Sequence, residues 1–325
     1  MTINFVGLFN QPGYVGEISD ETHIARELEK LGHTVNRIPR DAWREFIIEG
    51  RNWDKYKEVP ADLRADINIV AKWHHFYDGQ FITELRALSN APVFYWIWDF
   101  MFDSGFPEWH IQMAQAADLL LSGEAGIFYH YKALGIKPYY FQMDVCDGDI
   151  PIFGNLEKVY DVIFTGSCID QGNRKEYLQA INKEIPITIF SWNPEEWLKL
   201  GFKECYPAVY GEEYNKVIAQ SKIVLGFSVE PNCWGYWSNR VGKVLRAGGT
   251  LLYEYAPGME TLPFATFSSP EEAIVEIKYL LEFPIPPVAD TDKWTSAYKV
   301  RELVRLMERY LKGDPDKWNQ LPSIT

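Results

Sequence analysis

Short apolar runs alternate with amphipathic segments along this chain. The apolar runs are five to seven residues long, which is the length of buried strands. They predict strands at residues 3–9, 34–38, 67–73, 92–98, 118–122 and 137–142, and then at 160–165, 185–190, 222–228 and 250–255. Amphipathic segments near 20–31, 126–134, 271–281 and 296–312 have helical spacing. Strands that alternate with helices indicate doubly wound α/β domains with parallel sheets.

The segment 221–260 shows this pattern most completely, as strand, loop, helix and second strand. Ser238 is predicted to cap the helix, and Gly248 and Gly249 to end it. Ser238, Asn239 and Arg240 therefore lie at a helix N-terminus, where free N–H groups and the helix dipole favour an anion such as a diphosphate. An ordinary βαβ unit with a polar cap is the alternative interpretation.

The length of the chain and a turn-rich segment near its middle predict two domains. A chain of 325 residues is too long for one typical core. The segment 147–155 is dense in Gly, Pro and Asp, and it marks the expected junction. We expect one Rossmann-like domain over 1–155, a second over 156–288, and a linker and helix over 289–325 that packs back on the first.

Composition narrows the class of partner and the compartment. The net charge of −13 gives no electrostatic reason to bind nucleic acid or an anionic membrane. The four cysteines are far apart and form no metal-binding spacing, which favours reduced thiols. We see no signal peptide and no apolar run long enough to span a bilayer. These features together predict a cytoplasmic protein.

Two parts of the first domain carry candidate chemistry. Gly16 belongs to a glycine-rich loop after the first strand, but the loop lacks the dinucleotide-binding fingerprint. Asp99 follows the strand at 92–98, and His75 follows the strand at 67–73. Ligands of open parallel sheets bind beyond the carboxyl ends of the strands, so these side chains lie at the expected edge. Both residues have a structural alternative: Asp99 could cap a turn, and His75 could be a hydrogen-bonded structural histidine.

The second domain offers two more candidates. Arg174 lies at a predicted loop-to-helix junction, which suits a phosphate contact. Trp192 follows the strand at 185–190 and offers a flat face for a nucleobase. Alternatively, Arg174 is a solvated basic residue at a helix start, and Trp192 is an exposed aromatic residue without a ligand.

Three segments carry a resemblance to a known family. They are DVIFTGS at 161–167, SNRVGKVLRAGGTLLYEYAPGMETL at 238–262 and FSSPEEAIVEIKYLL at 267–281. The pattern resembles GT-B-fold glycosyltransferases related to the spore-maturation (CgeB-like) proteins and to the group 1 glycosyl transferases. The resemblance covers residues 160–282 and is only architectural over 1–155. It implies two Rossmann-like domains facing a cleft, a nucleotide-diphosphate-sugar donor held mainly by the second domain, and a final helix that crosses back to the first.

The resemblance also assigns roles to residues. Gly166, Arg174 and the helix start at Ser238, Asn239 and Arg240 would contact the diphosphate, and the Trp192 strand end the nucleobase. Lys243 stands where related enzymes carry the glutamate that binds the ribose hydroxyls, and a lysine cannot accept those hydrogen bonds. Lys243 could contact a phosphate instead, and Glu230 or Glu254 could supply the carboxylate.

The predicted activity is transfer of a sugar to an unidentified acceptor, which is a saccharide, a small molecule or a modified nucleic acid. We expect no resident cofactor and no metal, because cationic side chains and a helix dipole would stabilise the leaving diphosphate. Asp99 is the first choice of base on the acceptor hydroxyl, with Glu17 and His75 as second choices. Three alternatives remain: transfer to a hydroxymethylated base in DNA, catalytically silent nucleotide-sugar binding, and sugar-nucleotide epimerisation.

Overall fold

A computed structural model describes residues 1–9, 19–40, 62–71, 78–101, 105–143, 145–154, 156–170 and 172–314. It divides the chain into two compact units. Unit 1 contains Met1–Gln142 together with the residues from Val300 onward, and unit 2 contains Met143–Lys299. The division at Gln142 lies before the junction expected at 147–155.

Unit 1 contains a six-stranded parallel sheet. Its strands are β1 (Thr2–Gly7), β2 (Thr34–Pro39), β3 (Ile67–Ala71), β4 (Val93–Ile97), β5 (Leu119–Ser122) and β6 (Pro138–Tyr140). The described helices between them are α1 (Asp20–Lys30), α2 (Gly79–Ser89), α3 (Glu108–Ala116) and α4 (Phe128–Ala133). The strand order is β2-β1-β3-β4-β5-β6, so the direction of winding reverses between β1 and β3. Ligands of such sheets bind at that reversal, beyond the carboxyl ends of the strands.

A row of asparagines fixes the register of the central strands of unit 1. Asn4 on β1 donates a hydrogen bond from Nδ2 to Asn68 Oδ1 on β3 at 2.9 Å, and Asn36 on β2 donates to Asn4 Oδ1 at 2.8 Å. Asn4 and Asn68 are fully buried. A register slip of one residue would leave these buried amides unpaired, at a cost of about 1–3 kcal/mol each.

Unit 2 contains a second six-stranded parallel sheet. Its strands are β7 (Tyr160–Thr165), β8 (Thr188–Ser191), β9 (Glu204–Pro207), β10 (Ser221–Gly226), β11 (Leu251–Glu254) and β12 (Ala265–Phe267). The described helices are α5 (Arg174–Asn182), α6 (Pro194–Lys199), α7 (Gly211–Ala219), α8 (Arg240–Arg246) and α9 (Pro270–Glu282). The strand order is β9-β8-β7-β10-β11-β12, which is the Rossmann order with its reversal between β7 and β10.

Both faces of the unit 2 sheet are covered, and its central strands alternate between two apolar layers. On β7, Val162 and Phe164 belong to one buried cluster, whereas Ile163 belongs to the other. On β10, Ile223 lies in the first cluster and Val224 in the second. Burial on both sides explains why these strands appear in the sequence as continuous apolar runs.

The last described helix, α10 (Ser296–Leu311), joins unit 1 from Val300 onward. The Tyr310 ring packs edge-on against Phe94 of β4, with ring centroids 5.0 Å apart. The sequence prediction of two Rossmann-like parallel sheets, with a C-terminal helix that returns to the first, agrees with this architecture. Within the described part of the chain, no helix is both long and apolar enough to cross a bilayer.

Candidate functional site

The reversal of winding in unit 2 brings several predicted site residues to one edge of the sheet. Gly166 follows β7, and Arg174 begins the helix that comes next in the chain. Arg240 begins α8, which connects β10 to β11. Since β7 and β10 are hydrogen-bonded neighbours, their following loops and helix starts meet beyond the carboxyl ends of the strands.

Two arginines meet over one aromatic ring at this edge. The guanidinium carbons of Arg174 and Arg240 lie 5.7 and 5.4 Å from the centre of the Phe164 ring. Arg174 is 6% exposed. Burial, and then the nearby charge of Arg240, lower the pKa of Arg174 to about 10. The fold thus holds two positive groups close together in a partly desolvated place, which is unfavourable without an anion.

The arginine pair uses only part of its hydrogen-bonding capacity. Arg174 donates from Nη1 to the Ser167 carbonyl at 3.3 Å, and Arg240 donates from Nε to Thr165 Oγ1 at 3.3 Å. Within the described part of the chain, Arg174 Nε and Arg240 Nη1 are buried and donate no hydrogen bond. Unused guanidinium donors beside a glycine-rich turn form a suitable cradle for phosphate oxygens.

Gly166 gives this cradle its shape. A Cβ atom at position 166 would stand 2.7 Å from Phe164 Cζ and 3.0 Å from Arg240 Nη2. Gly172 has a φ of +59°, and a Cβ there would stand 2.8 Å from the Val229 carbonyl oxygen. The loop from β7 to α5 therefore packs directly on the loop after β10, which only glycine permits at these two points.

A buried carboxylate lies near Arg174, at the end of β11. Glu254 is 2% exposed, and its Oε1 accepts a hydrogen bond from Asn173 Nδ2 at 2.8 Å. Burial raises the pKa of Glu254, while the Asn173 hydrogen bond, the Ser228 backbone and the charge of Arg174 oppose that rise. Glu254 Oε2 accepts no hydrogen bond from a described residue. Glu254 offsets part of the arginine charge and retains an oxygen that can accept from a hydroxyl group.

The start of α8 differs in detail from the prediction. The structure begins the helix at Arg240, with Asn239 rather than Ser238 in the cap position. Ser238 is held by two bonds: its N–H donates to the Tyr253 hydroxyl at 3.0 Å, and its Oγ accepts from the Arg240 N–H at 3.2 Å. These bonds fix Ser238 just outside the helix. Because α8 has only seven residues, the arginine side chains rather than its dipole dominate the local charge.

The end of β8 provides an aromatic surface. Trp192 is 58% exposed and contacts Tyr210, with ring centroids 5.0 Å apart. The neighbouring Asn193, which the sequence does not mark, joins this strand end to the loop after β7. Its Oδ1 accepts from the Cys168 N–H at 3.0 Å, and its Nδ2 donates to the Cys168 carbonyl at 3.3 Å.

Lys243 and Glu230 lie in the same region. Lys243 is half-buried on α8, and its N–H donates to the Asn239 carbonyl at 3.2 Å. Glu230 is half-buried in the loop after β10, where its Oε1 accepts from the Asn232 N–H at 2.9 Å. Their contacts with a donor stay predictions.

Unit 1 contains one described candidate from the sequence. Asp99 is half-buried two residues beyond β4, at the carboxyl edge of the sheet. Gly16, Glu17 and His75 lie outside the described residues.

A further carboxylate was missed by sequence reasoning: Glu124 is 1% exposed beyond β5, and burial raises its pKa to about 7. Across the described ranges, no three His, Cys, Asp or Glu side chains cluster in a way that suits a metal ion.

Part of the chain matches a family model. Residues 174–285, about a third of the chain, match a family described as glycosyl transferase-like. The matched segment begins at Arg174 and includes α8, β11 and α9. No curated protein sequence matches the chain significantly.

Solved structures match over nearly the full length. A sucrose-phosphate synthase from Thermosynechococcus elongatus has a TM-score of 0.59 at 11% identity, covering 96% of this chain and 97% of that one. The DNA-modifying β-glucosyltransferase, solved with and without its substrate uridine diphosphoglucose, has a TM-score of 0.58 at 12% identity and covers 96% and 97%. Anabaena HepE in complex with UDP has a TM-score of 0.52 at 12% identity and covers 97% and 99%.

Identities this low show a shared fold and nothing finer. The predicted GT-B fold and the predicted resemblance to GT-B glycosyltransferases are confirmed. The narrower relationship to CgeB-like proteins stays a prediction.

Proposed function

We propose that this chain, which has the GT-B glycosyltransferase fold, transfers a sugar from a nucleotide-diphosphate-sugar donor to an acceptor hydroxyl. The observation that supports it most is the arginine pair. Arg174 and Arg240 share the Phe164 ring, and each keeps a buried N–H donor without an acceptor among the described residues. This arrangement suits a diphosphate, which brings both charge and several acceptor oxygens.

In the proposed reaction, the bond between the anomeric carbon and the donor phosphate oxygen breaks. The leaving diphosphate takes the electron pair, and the acceptor oxygen forms the new bond to the anomeric carbon. Arg174 and Arg240 stabilise the negative charge that develops on the leaving oxygen, because they are already oriented and partly desolvated. In this proposal the arginines replace a divalent ion.

A uridine diphosphate donor is the first choice. Two structures that share the fold are described with UDP or uridine diphosphoglucose, and that likeness supports the choice without deciding it. Trp192 provides an exposed ring at the end of β8 for the base. Glu254, with Glu230 second, is the proposed acceptor of donor hydroxyl hydrogen bonds in place of Lys243, which can only donate.

Asp99 is the proposed base for an inverting reaction. It would take the proton from the acceptor hydroxyl as that oxygen attacks the anomeric carbon. A retaining reaction would not require it.

The proposed acceptor is a saccharide, a small molecule or a modified nucleic acid. Transfer to a hydroxymethylated base in DNA is kept as an alternative, because a DNA-modifying enzyme shares the fold. Retardation of modified duplex DNA in a gel would favour that alternative.

A donor assay tests the proposed function. The full chain is incubated with UDP-glucose and with sugar conjugates of the other nucleoside diphosphates, with and without magnesium, and release of the nucleoside diphosphate is measured. We expect slow hydrolysis of one donor and faster release when the correct acceptor is added. Binding without release, with every acceptor class, would favour silent nucleotide-sugar binding. Turnover to a new sugar nucleotide without any acceptor would favour epimerisation.

Replacement of Trp192 tests the proposed base subsite. Trp192→Ala should weaken binding of UDP by about 1–3 kcal/mol, the usual contribution of an aromatic ring stacked on a base. Binding of inorganic pyrophosphate should not change, since it has no base. Tyr279→Ala, at a 55% exposed aromatic on α9, is the matched control. Calorimetry that shows equal loss for UDP and pyrophosphate would remove Trp192 from the base subsite.

A further inference from the structure

A chain of buried polar side chains runs through unit 1 and is not used by the proposed chemistry. It begins at Tyr95 on β4, continues through His110 on α3 and Tyr131 on α4, and ends at Glu124 beyond β5. The Tyr95 hydroxyl lies 3.0 Å from His110 Nδ1, His110 Nε2 lies 3.0 Å from the Tyr131 hydroxyl, and Tyr131 donates to Glu124 Oε2 at 2.7 Å. All four residues are at most 1% exposed.

The chemistry of these groups gives the chain a direction. An ionised Glu124 can only accept, so Tyr131 donates its single hydroxyl proton to Oε2. Tyr131 must then accept from His110 Nε2–H. Burial lowers the pKa of His110 to about 3, so the ring is neutral and its Nδ1 accepts from Tyr95. Ionised Glu124 therefore specifies the Nε2–H tautomer of His110.

Glu124 also holds the segment that follows β4. Its Oε1 accepts a hydrogen bond from the Met101 N–H, and Ser122 Oγ donates to Oε2 at 3.3 Å. Asp99 lies two residues before Met101, in the same segment. The charge of Asp99 contributes to the raised pKa of both Glu124 and Tyr95, so it lies near this carboxylate.

We propose that Glu124 is a positioning residue for acceptor chemistry, which holds the Asp99 segment through Met101 and is itself oriented by the buried Tyr131–His110–Tyr95 chain. The proposal rests on the proposed function, because Asp99 is the base in that function. Among the described residues, the ionisable groups of this chain and its surroundings are Tyr95 on β4, Asp99 beyond β4, His110 on α3 and Tyr131 on α4.

Protonation of Glu124 should reverse the chain. A proton on Oε2 would be donated to the Tyr131 oxygen, Tyr131 would then donate to His110 Nε2, and His110 would carry its proton on Nδ1. The pKa of Glu124, about 7, places this reversal near neutrality, whereas His110 stays neutral there. The His110 tautomer thus reports the state of Glu124 without any ligand.

Nitrogen NMR of the full chain labelled in its histidine rings tests this inference. The signal of His110, one of six histidines, is assigned by its loss in His110→Phe. We expect the Nε2–H tautomer in the wild type at pH 8 and a shift toward Nδ1–H by pH 6. Glu124→Gln, whose amide N–H would donate to Tyr131, should show Nδ1–H at both pH values. Glu108→Gln, at an exposed position on α3, should behave as the wild type.

The rate of donor hydrolysis distinguishes a positioning role of Glu124 from a purely structural one. Hydrolysis of UDP-glucose by the wild type should fall as pH drops through about 7. Protonation of Glu124 replaces the charge-assisted bond from the Met101 N–H to a carboxylate oxygen with a weaker bond to a neutral carboxyl oxygen. Glu124→Gln should be about 10- to 100-fold slower and should lack that dependence, the loss typical of a small misplacement of a reacting group. KM for UDP-glucose should not change.

Several results would overturn the inference. The first is a His110 tautomer in Glu124→Gln that is the same as in the wild type. The second is a reversed His110 tautomer in Glu124→Gln together with normal hydrolysis, while Asp99→Asn is inactive. If the wild type hydrolyses no donor, the proposed function fails separately. Amide hydrogen exchange at Asp99 and Met101 then tests whether Glu124 holds this segment. Faster exchange in Glu124→Gln supports the positioning role, and unchanged exchange contradicts it. If Glu124→Gln does not fold, Tyr131→Phe replaces it and should abolish the pH dependence of the His110 tautomer.

Discussion

Arg240→Ala is expected to weaken binding of the nucleoside diphosphate by about 1.5–3 kcal/mol, the range for hydrogen bonds to a charged group. The affinity should fall about 10- to 150-fold by calorimetry. Arg240 has a buried Nη1 donor without an acceptor among the described residues, and its guanidinium shares the Phe164 ring with Arg174. The loss should be similar for UDP and for its sugar conjugate, because both carry the diphosphate.

The same substitution should not destabilise the free protein. The charge of Arg240 contributes to the lowered pKa of Arg174, which means that the two cations repel each other when no anion is bound. Arg240→Ala removes that repulsion, so the melting temperature without ligand should stay level or rise, while the increase caused by UDP is lost. Arg246→Ala, at the other end of α8, is the charge-matched control. Normal affinity in a folded Arg240→Ala variant would remove Arg240 from the site.

Asp99→Asn is expected to reduce turnover by about 10²–10⁴-fold, the usual contribution of a general base. Asparagine has nearly the same shape but cannot take the proton from the acceptor hydroxyl. Donor affinity should change little, since Asp99 belongs to unit 1 and the proposed donor site to unit 2. Steady-state kinetics with the identified acceptor, and calorimetry with UDP, measure the two quantities.

Asp66→Asn is the matched control for Asp99. Asp66 is exposed just before β3, at the opposite edge of the same sheet, where it accepts a hydrogen bond from the Thr2 N–H. It should leave turnover unchanged. If Asp99→Asn were equally active, the base would be another group, or the reaction would be a retaining one that needs none.

The strands of both sheets could be predicted wherever they are buried on both faces. The predicted strand at 160–165 coincides with β7, whose residues from Val162 to Phe164 are at most 1% exposed. The strands β9 and β12 were missed, and they lie at the two edges of the unit 2 sheet. In β9, the residues Glu204, Tyr206 and Pro207 are exposed. An edge strand lacks the continuous apolar run that marks a central one.

The individual site residues were more predictable than their arrangement. Arg174 and Arg240 each stand at the start of a helix, and that local position is visible in the sequence. Their common contact with Phe164 depends on the pairing of β7 with β10, which only the folded sheet brings about. Glu124 gave no signal, because a single glutamate after a strand has the same pattern whether it is solvated or buried in a hydrogen-bonded chain.

A calorimetric titration of the wild type with uridine, UMP, UDP and UDP-glucose tests the central claim, that the arginine pair binds a diphosphate. We predict that UDP and UDP-glucose bind well with or without magnesium, that UMP binds more weakly, and that uridine binds least. Arg174→Ala and Arg240→Ala should remove most of the difference between UDP and uridine. Equal affinity for uridine and UDP, or no binding of any of the four and of the corresponding compounds of other bases, would contradict the claim.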